Sequence, residues 1–220
     1  MFFIWLFLYG AVMLLSAMAA PLFPAAPHVG LPAYTLALAI WILATGRGRR
    51  FGLRRPEGIW KRDLFFLLCL FPVFYNLFRF GFSFPEGMSL LGVFGGVLLE
   101  EIVFRGILPQ WLYRRSRFWG MLLSSLAFGI AHIINLESGM PLMYILCQVI
   151  FAVAVGFALC GLRLHYKSIF PGAVIHLLIN VTAGGIYDFF TDPLFWVCVA
   201  ACFGCGVFLW KKGETENVAI

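Results

Sequence analysis

Long unbroken apolar runs, rather than alternation, organise this chain. The stretches GMSLLGVFGGVLL (87–99) and PLMYILCQVIFAVAVGFALCGL (141–162) carry no period-two pattern. A porin-type barrel would show segments of about ten residues with alternating polarity, so the pattern predicts helices. Eight apolar spans are expected, at about 2–22, 31–46, 63–82, 88–109, 118–135, 141–162, 169–185 and 193–210. Each approaches the roughly 20 residues that a helix needs to cross a bilayer. The fold class expected is all-α: a polytopic bundle of about eight transmembrane helices, forming one transmembrane domain over 1–220 around a membrane-embedded polar cavity.

Composition agrees with this reading. Of 220 residues, 62 % are apolar and only 12 % charged, whereas soluble domains are about half apolar and a quarter charged. The excess apolar surface has to face lipid. The first span lacks a basic leader, so it is expected to be retained as a helix rather than cleaved.

The net charge of +6 is a matter of topology. Arg47, Arg49, Arg50, Arg54, Arg55, Lys61 and Arg62 follow the second span, Arg114, Arg115 and Arg117 the fourth, Arg163 and Lys167 the sixth, and Lys211 and Lys212 the last. These are 14 of the 16 Lys and Arg residues, all on one side. The alternate loops carry acids such as Glu86, Glu137, Asp188 and Asp192. This segregation predicts both termini in the cytoplasm, in a multi-pass protein of a membrane resembling the bacterial inner membrane. Membrane lipid is an expected partner and nucleic acid is not. Cys198, Cys202 and Cys205 spell CxxxCxxC, but in the apolar run WVCVAACFGCGVFLW they read as small packing residues rather than cluster ligands. Gly92 and Gly96, with Gly95 beside them, form a GxxxG step that predicts a close helix approach.

A few polar groups remain inside the spans, where ionisable groups are rare and costly. The fourth span holds Glu100, Glu101 and Arg105, the fifth His132 and the seventh His176 and Asn180. Asp63 begins the third span within reach of water, and Arg79 near its other end is expected to snorkel towards headgroups. Glu101 and Arg105 stand four apart, the favourable order for a helical ion pair. Glu100, about 100° around the helix, is left without a local partner. His176 and Asn180 share a face, and Phe128 lies one turn before His132. Gathered around one cavity, Glu100 and His132 could activate a water, while His176 and Asn180 could donate to the oxyanion formed on a carbonyl. The same Glu100, His132 and His176 could instead ligate zinc. The span estimates put Glu100 mid-membrane, His176 nearer the cytoplasm and His132 nearer the outside. A shared site is incompatible with those depths, so at least one boundary has to differ.

Taken in order, EEIVFR (100–105), FGIAH (128–132) and HLLIN (176–180) resemble the EExxxR, FxxxH and HxxxN motifs of the CPBP family. These are the CAAX-protease and bacteriocin-processing intramembrane proteases, also called Abi. The likeness covers about residues 88–185. It implies a peptide-bond hydrolase acting on a membrane-associated peptide or protein, with catalytic Glu100, His132, His176 and Asn180. Glu101, Arg105 and Phe128 would be structural support. A metal-free glutamate mechanism is favoured over a zinc site. Two other readings share these residues: a non-catalytic immunity or binding protein on the same fold, and a proton-coupled transporter. The latter would be expected to show internal repeats, and the two halves of this chain show no convincing self-similarity.

Overall fold

The computed structural model describes residues 26–58, 63–81, 90–112, 116–184 and 189–215, together with scattered positions among residues 7–23. The expected first span therefore lies almost wholly outside the described residues. So do the basic loop positions Lys61, Arg62, Arg114 and Arg115. Among the described residues the architecture is all-helical.

Helix α1 (Ala26–Ala44) and the short α2 (Gly48–Phe51) are followed by α3 (Leu64–Leu68) and α4 (Phe71–Phe80). Next comes α5 (Leu90–Glu101), which passes through a π-helical turn (Ile102–Ile107) into α6 (Leu108–Leu112). Helix α7 (Arg117–Ala131) ends in a 3-10 turn (His132–Ser138). Helices α8 (Leu142–Tyr166), α9 (Phe170–Thr182) and α10 (Pro193–Thr215) complete the order. Leu142–Tyr166 and Pro193–Gly213 are long and apolar enough to cross a membrane, and the other apolar helices are shorter. Large apolar side chains point outward along several helices, among them Leu36 and Ile40 on α1 and Phe74 and Phe78 on α4. Such a surface suits lipid.

Several expected elements are corrected. The third span is two helices: Asp63 caps α3 by accepting from Phe65 N–H at 2.9 Å, and the helix turns at Cys69–Leu70 before α4 begins at Phe71 with Pro72 in its first turn. The fifth span is a 15-residue α-helix, not an 18-residue crossing. At 1.5 Å per residue it reaches about 22 Å, short of a hydrocarbon core about 30 Å thick. His132 therefore sits at the helix end, and it lines the same cavity as His176 despite the different depths expected for the two.

Three helix contacts set the frame of the site. Gly95, not Gly96, is the close-approach residue: a Cβ on Gly95 would lie 2.7 Å from Pro32 Cγ, while one on Gly96 would meet nothing within 4 Å. Thr35 Oγ1 donates to Gly95 O at 2.9 Å across that contact. Gly129 and Gly156 do the same between α7 and α8, where added Cβ atoms would press on Val153 and Phe128. Along α10, Cys198 and Cys202 are buried in the core, and Cys205 Sγ lies 3.4 Å from Cys69 Sγ.

The basic loop after α1 is built into the protein. Arg163 is not a loop charge: α8 continues to Tyr166, which buries Arg163, and its Nη2 donates to Arg50 O at 3.1 Å. Gly52, with φ +78°, lies directly under that guanidinium. Ile169 N–H donates to Gly52 O at 3.0 Å, and Ser168 Oγ donates to Arg54 O at 2.7 Å. Glu57 accepts from Lys167 and Arg54 at 2.9 and 2.8 Å, and Lys167 above all holds its carboxyl below the usual carboxylate range. Together these contacts join the loop to the α8–α9 turn, close to where α9 begins.

Candidate active site

The site forms where the end of α5 meets α9. Glu100 and Glu101 occupy the last turn of α5, and the chain then widens into the π-helical turn. Such single π-turns are often found at functional sites. A widened turn releases backbone carbonyls that need other donors. Ser124 Oγ on α7 donates to one of them, Phe104 O. Gly106 lets the α2 segment close on this turn, since a Cβ there would stand 2.7 Å from Phe51 O.

Arg105 leaves the π-turn pointing inward, with 1 % of its side chain exposed. Its Nη1 lies 3.2 Å from Glu101 Oε1, the ion pair that the i,i+4 spacing predicts. Its guanidinium also stacks 4.0 Å from the centre of the Phe128 ring. A buried charge needs such compensation, and the π face supplies what a second carboxylate would otherwise provide.

The same Glu101 Oε1 accepts from His176 Nδ1 at 2.9 Å. The other imidazole nitrogen, Nε2, lies 3.5 Å from Glu100 Oε2. Glu100 thus has a partner after all, one that comes from α9, 76 positions along the chain. His176 sits between two consecutive carboxylates, one fully buried and one 27 % exposed. Gly172, one turn before His176, allows this approach: a Cβ there would be 3.2 Å from Glu101 Oε2.

Phe128 joins the histidines. Its ring meets His132 edge-on at 4.8 Å and His176 edge-on at 5.4 Å. His132 Nδ1–H donates to Phe128 O at 2.9 Å, which fixes the tautomer and leaves Nε2 as the free nitrogen. His132, His176 and Asn180 all line one cavity of about 120 Å³. No hydrogen bond or ion pair joins Glu100 to His132, so a water has to bridge any joint action of theirs.

The zinc alternative can be tested on the donor set. Glu100 and His176 face each other, but His132 stands behind Phe128. Among the described residues no group of three or more His, Cys, Asp or Glu side chains is placed to hold a metal ion. The three donors do not fit a zinc site in this arrangement.

Tyr75 and Asn76, which line the cavity, were not singled out in the sequence, and the partners of Arg79, Asp192 and Asp63 were not foreseen. Arg79 does not snorkel: its Nη2 lies 2.6 Å from Asp192 Oδ1. Asp192 also accepts from Tyr75 Oη at 2.8 Å and from Leu194 N–H at 3.0 Å, capping α10. Burial alone would raise its pKa. The Arg79, Tyr75 and Leu194 contacts outweigh that and hold the carboxyl below its usual value. Asn76 Nδ2 donates to Ile179 O and Thr182 Oγ1 at 3.2 and 3.3 Å, tying α4 to α9 beside the cavity. At the other end, Asp63 accepts from His165 Nε2 at 3.0 Å.

These features define a helical integral membrane protein in which two histidines and an amide line one cavity, and two consecutive glutamates reach it through their contacts with His176. Residues 82–182 match the family model described as type II CAAX prenyl endopeptidase Rce1-like, a stretch that takes in all three motifs. No curated protein and no solved structure gives a significant match to the chain. The family brings with it a protease-like function directed at a peptide or protein in a membrane.

Proposed function

We propose that the chain is an intramembrane endopeptidase that hydrolyses a peptide bond of a membrane-associated substrate with a water activated by Glu100. The observation that carries this reading is the placement of His176 between Glu100 and Glu101 at the cavity wall. Glu100, partly open, takes a proton from a water that His132 Nε2 helps to hold. The water oxygen attacks the scissile carbonyl. In this step His176 carries both ring protons between the two carboxylates, holding Nδ1–H on Glu101 and turning Nε2–H to the developing oxyanion, and Asn180 Nδ2–H joins it. Glu100 then passes its proton to the leaving amine as the C–N bond breaks. Glu101 and Arg105 keep His176 aligned and hold the buried charge in balance.

The active face belongs to a multi-pass protein with both termini in the cytoplasm of a bacterial-type inner membrane, a reading supported by the segregated basic loops. No metal is assigned a step. In the deciding experiment, purified protein in lipid nanodiscs is given an internally quenched farnesylated CAAX peptide. Glu100→Gln is expected to lower kcat by about 10²–10⁴-fold, the span of a general base, with normal insertion and folding. Full cleavage by Glu100→Gln would overturn the reading. Activity retained after chelation, without stoichiometric metal, would support the glutamate mechanism, whereas activity lost on chelation and restored by zinc would overturn it.

A further inference from the structure

The longest apolar helix contains one amide. Between Leu142 and Leu162 every side chain of α8 is aliphatic, aromatic or a thiol or thioether, except for Gln148. An amide placed among apolar groups is costly unless both of its ends find partners. One end does: Gln148 Oε1 accepts from Asn135 Nδ2 at 3.0 Å. The other end, Nε2 with its two N–H donors, meets no acceptor among the described residues. It is not sealed in the protein either, because Gln148 lines the cavity shared by His132, His176 and Asn180.

Its placement is systematic. Tyr144, Gln148, Phe151, Ala152 and Val155 all line the cavity, and their spacing of 4, 3, 1 and 3 residues is one stripe of a helix. Asn135 lies three residues beyond His132 in the same 3-10 turn. The Asn135–Gln148 bond therefore orients the amide and also ties the turn that carries His132 to α8. Among the described residues the cavity lining holds no Lys or Arg, so it offers little to an anionic headgroup. Two N–H donors on a largely aromatic and aliphatic wall call for a neutral carbonyl acceptor on an otherwise apolar ligand. An apolar peptide segment supplies one at every residue.

We propose that Gln148 is a substrate-binding residue, donating Nε2–H to a main-chain carbonyl beside the scissile bond and so setting the register of the bound peptide. This rests on the endopeptidase reading above. Tyr144 and Phe151 flank the donor one turn away on either side and receive the apolar side chains next to that carbonyl.

The test uses the full chain in nanodiscs and the same farnesylated CAAX peptide. Gln148→Leu is expected to raise KM about tenfold, the effect of one lost hydrogen bond in an apolar site, with a smaller fall in kcat from the loosened His132 turn. Peptide analogues with one non-scissile amide replaced by an ester, a weaker acceptor, then compete for binding to the Glu100→Gln protein. One ester position should weaken binding to Glu100→Gln about fivefold to tenfold but leave binding to Glu100→Gln/Gln148→Leu unchanged, a non-additivity that marks a direct contact. An unchanged KM, or an ester effect that persists without Gln148, would overturn the proposal. Gln148→Met, closer in shape, repeats both measurements if thermal unfolding shows that the leucine variant is misfolded. Failure of the endopeptidase reading shows separately, as cleavage by Glu100→Gln, while the ester competition still reads the Gln148 contact.

Discussion

His176 donates Nδ1–H to Glu101 across 2.9 Å, and this bond decides what the other side of the ring can do. With Nδ1 anchored on a carboxylate that has no exposed surface, Nε2 is left facing Glu100 and the cavity. Glu101 also holds Arg105. One buried carboxylate therefore orients the imidazole and offsets the guanidinium at the same time.

Glu101→Gln should separate this role from that of Glu100. The amide keeps the shape but loses the charge that both Arg105 and His176 use. Leaving a buried arginine without its partner costs about 3–5 kcal/mol. Thermal unfolding in detergent should therefore drop markedly for Glu101→Gln and little for Glu100→Gln, whose side chain is partly open. Both variants should lose kcat. Equal stability of the two proteins would contradict the assignment of Glu101 to alignment and charge balance.

Phe128 predicts a different pattern. Its ring lies under Arg105 and against both histidines. Phe128→Leu keeps an apolar side chain but removes the π face and both edge contacts. A loss of about 1–3 kcal/mol is expected from the cation–π and packing changes together. The kcat for the farnesylated peptide should fall by more than KM rises, since both histidines lose alignment while a leucine still fills part of the cavity wall. A rise in KM alone would place Phe128 in binding instead.

How much of this was legible in the sequence depends on the distance over which partners meet. The Glu101–Arg105 pair, the shared face of His176 and Asn180, and the Phe128–His132 turn are local spacings, and each appears in the structure at its helical interval. What was not legible comes from far along the chain or from a change of helix type. Arg79 meets Asp192 across 113 residues, so the arginine looked like a headgroup anchor. IVFRGI carries no mark of a π-turn, and apolar Cys69–Leu70 gives no sign that a helix breaks there. Gln148 did leave a signal, a single amide among 20 otherwise apolar positions, but an amide carries no charge to set it apart.

The small residues of α5 give a prediction that compares neighbours. Gly95→Ala would put a methyl group 2.7 Å from Pro32 Cγ and 2.8 Å from its Cα, so α1 and α5 have to separate. Gly96→Ala meets nothing within 4 Å and adds helix propensity. Overpacking of this kind costs about 1–3 kcal/mol. Unfolding in detergent should show Gly95→Ala destabilised and Gly96→Ala unchanged or slightly stabilised. The reverse order would mean that α1 packs on α5 through the GxxxG face.

The Arg79–Asp192 pair makes acid stability the last test. Asp192 is held below its usual pKa by Arg79, Tyr75 and Leu194, against the effect of burial. A carboxyl with a lowered folded pKa stabilises the fold above the unfolded value of about 3.9, and that stabilisation is lost as pH falls through the lower folded value. Wild type and Asp192→Asn should therefore differ in unfolding temperature by a constant amount from pH 7 down to about 5, and the gap should shrink as pH falls below about 4. Arg79→Met should show a smaller gap of the same shape, because Tyr75 and Leu194 still hold the carboxylate. Asp63 faces the same sign, lowered by Phe65 N–H and His165 despite burial, so the comparison is best made in an Asp63→Asn background. A gap between wild type and Asp192→Asn that persists unchanged to pH 3 would mean that Asp192 stabilises the α10 start through shape, not charge.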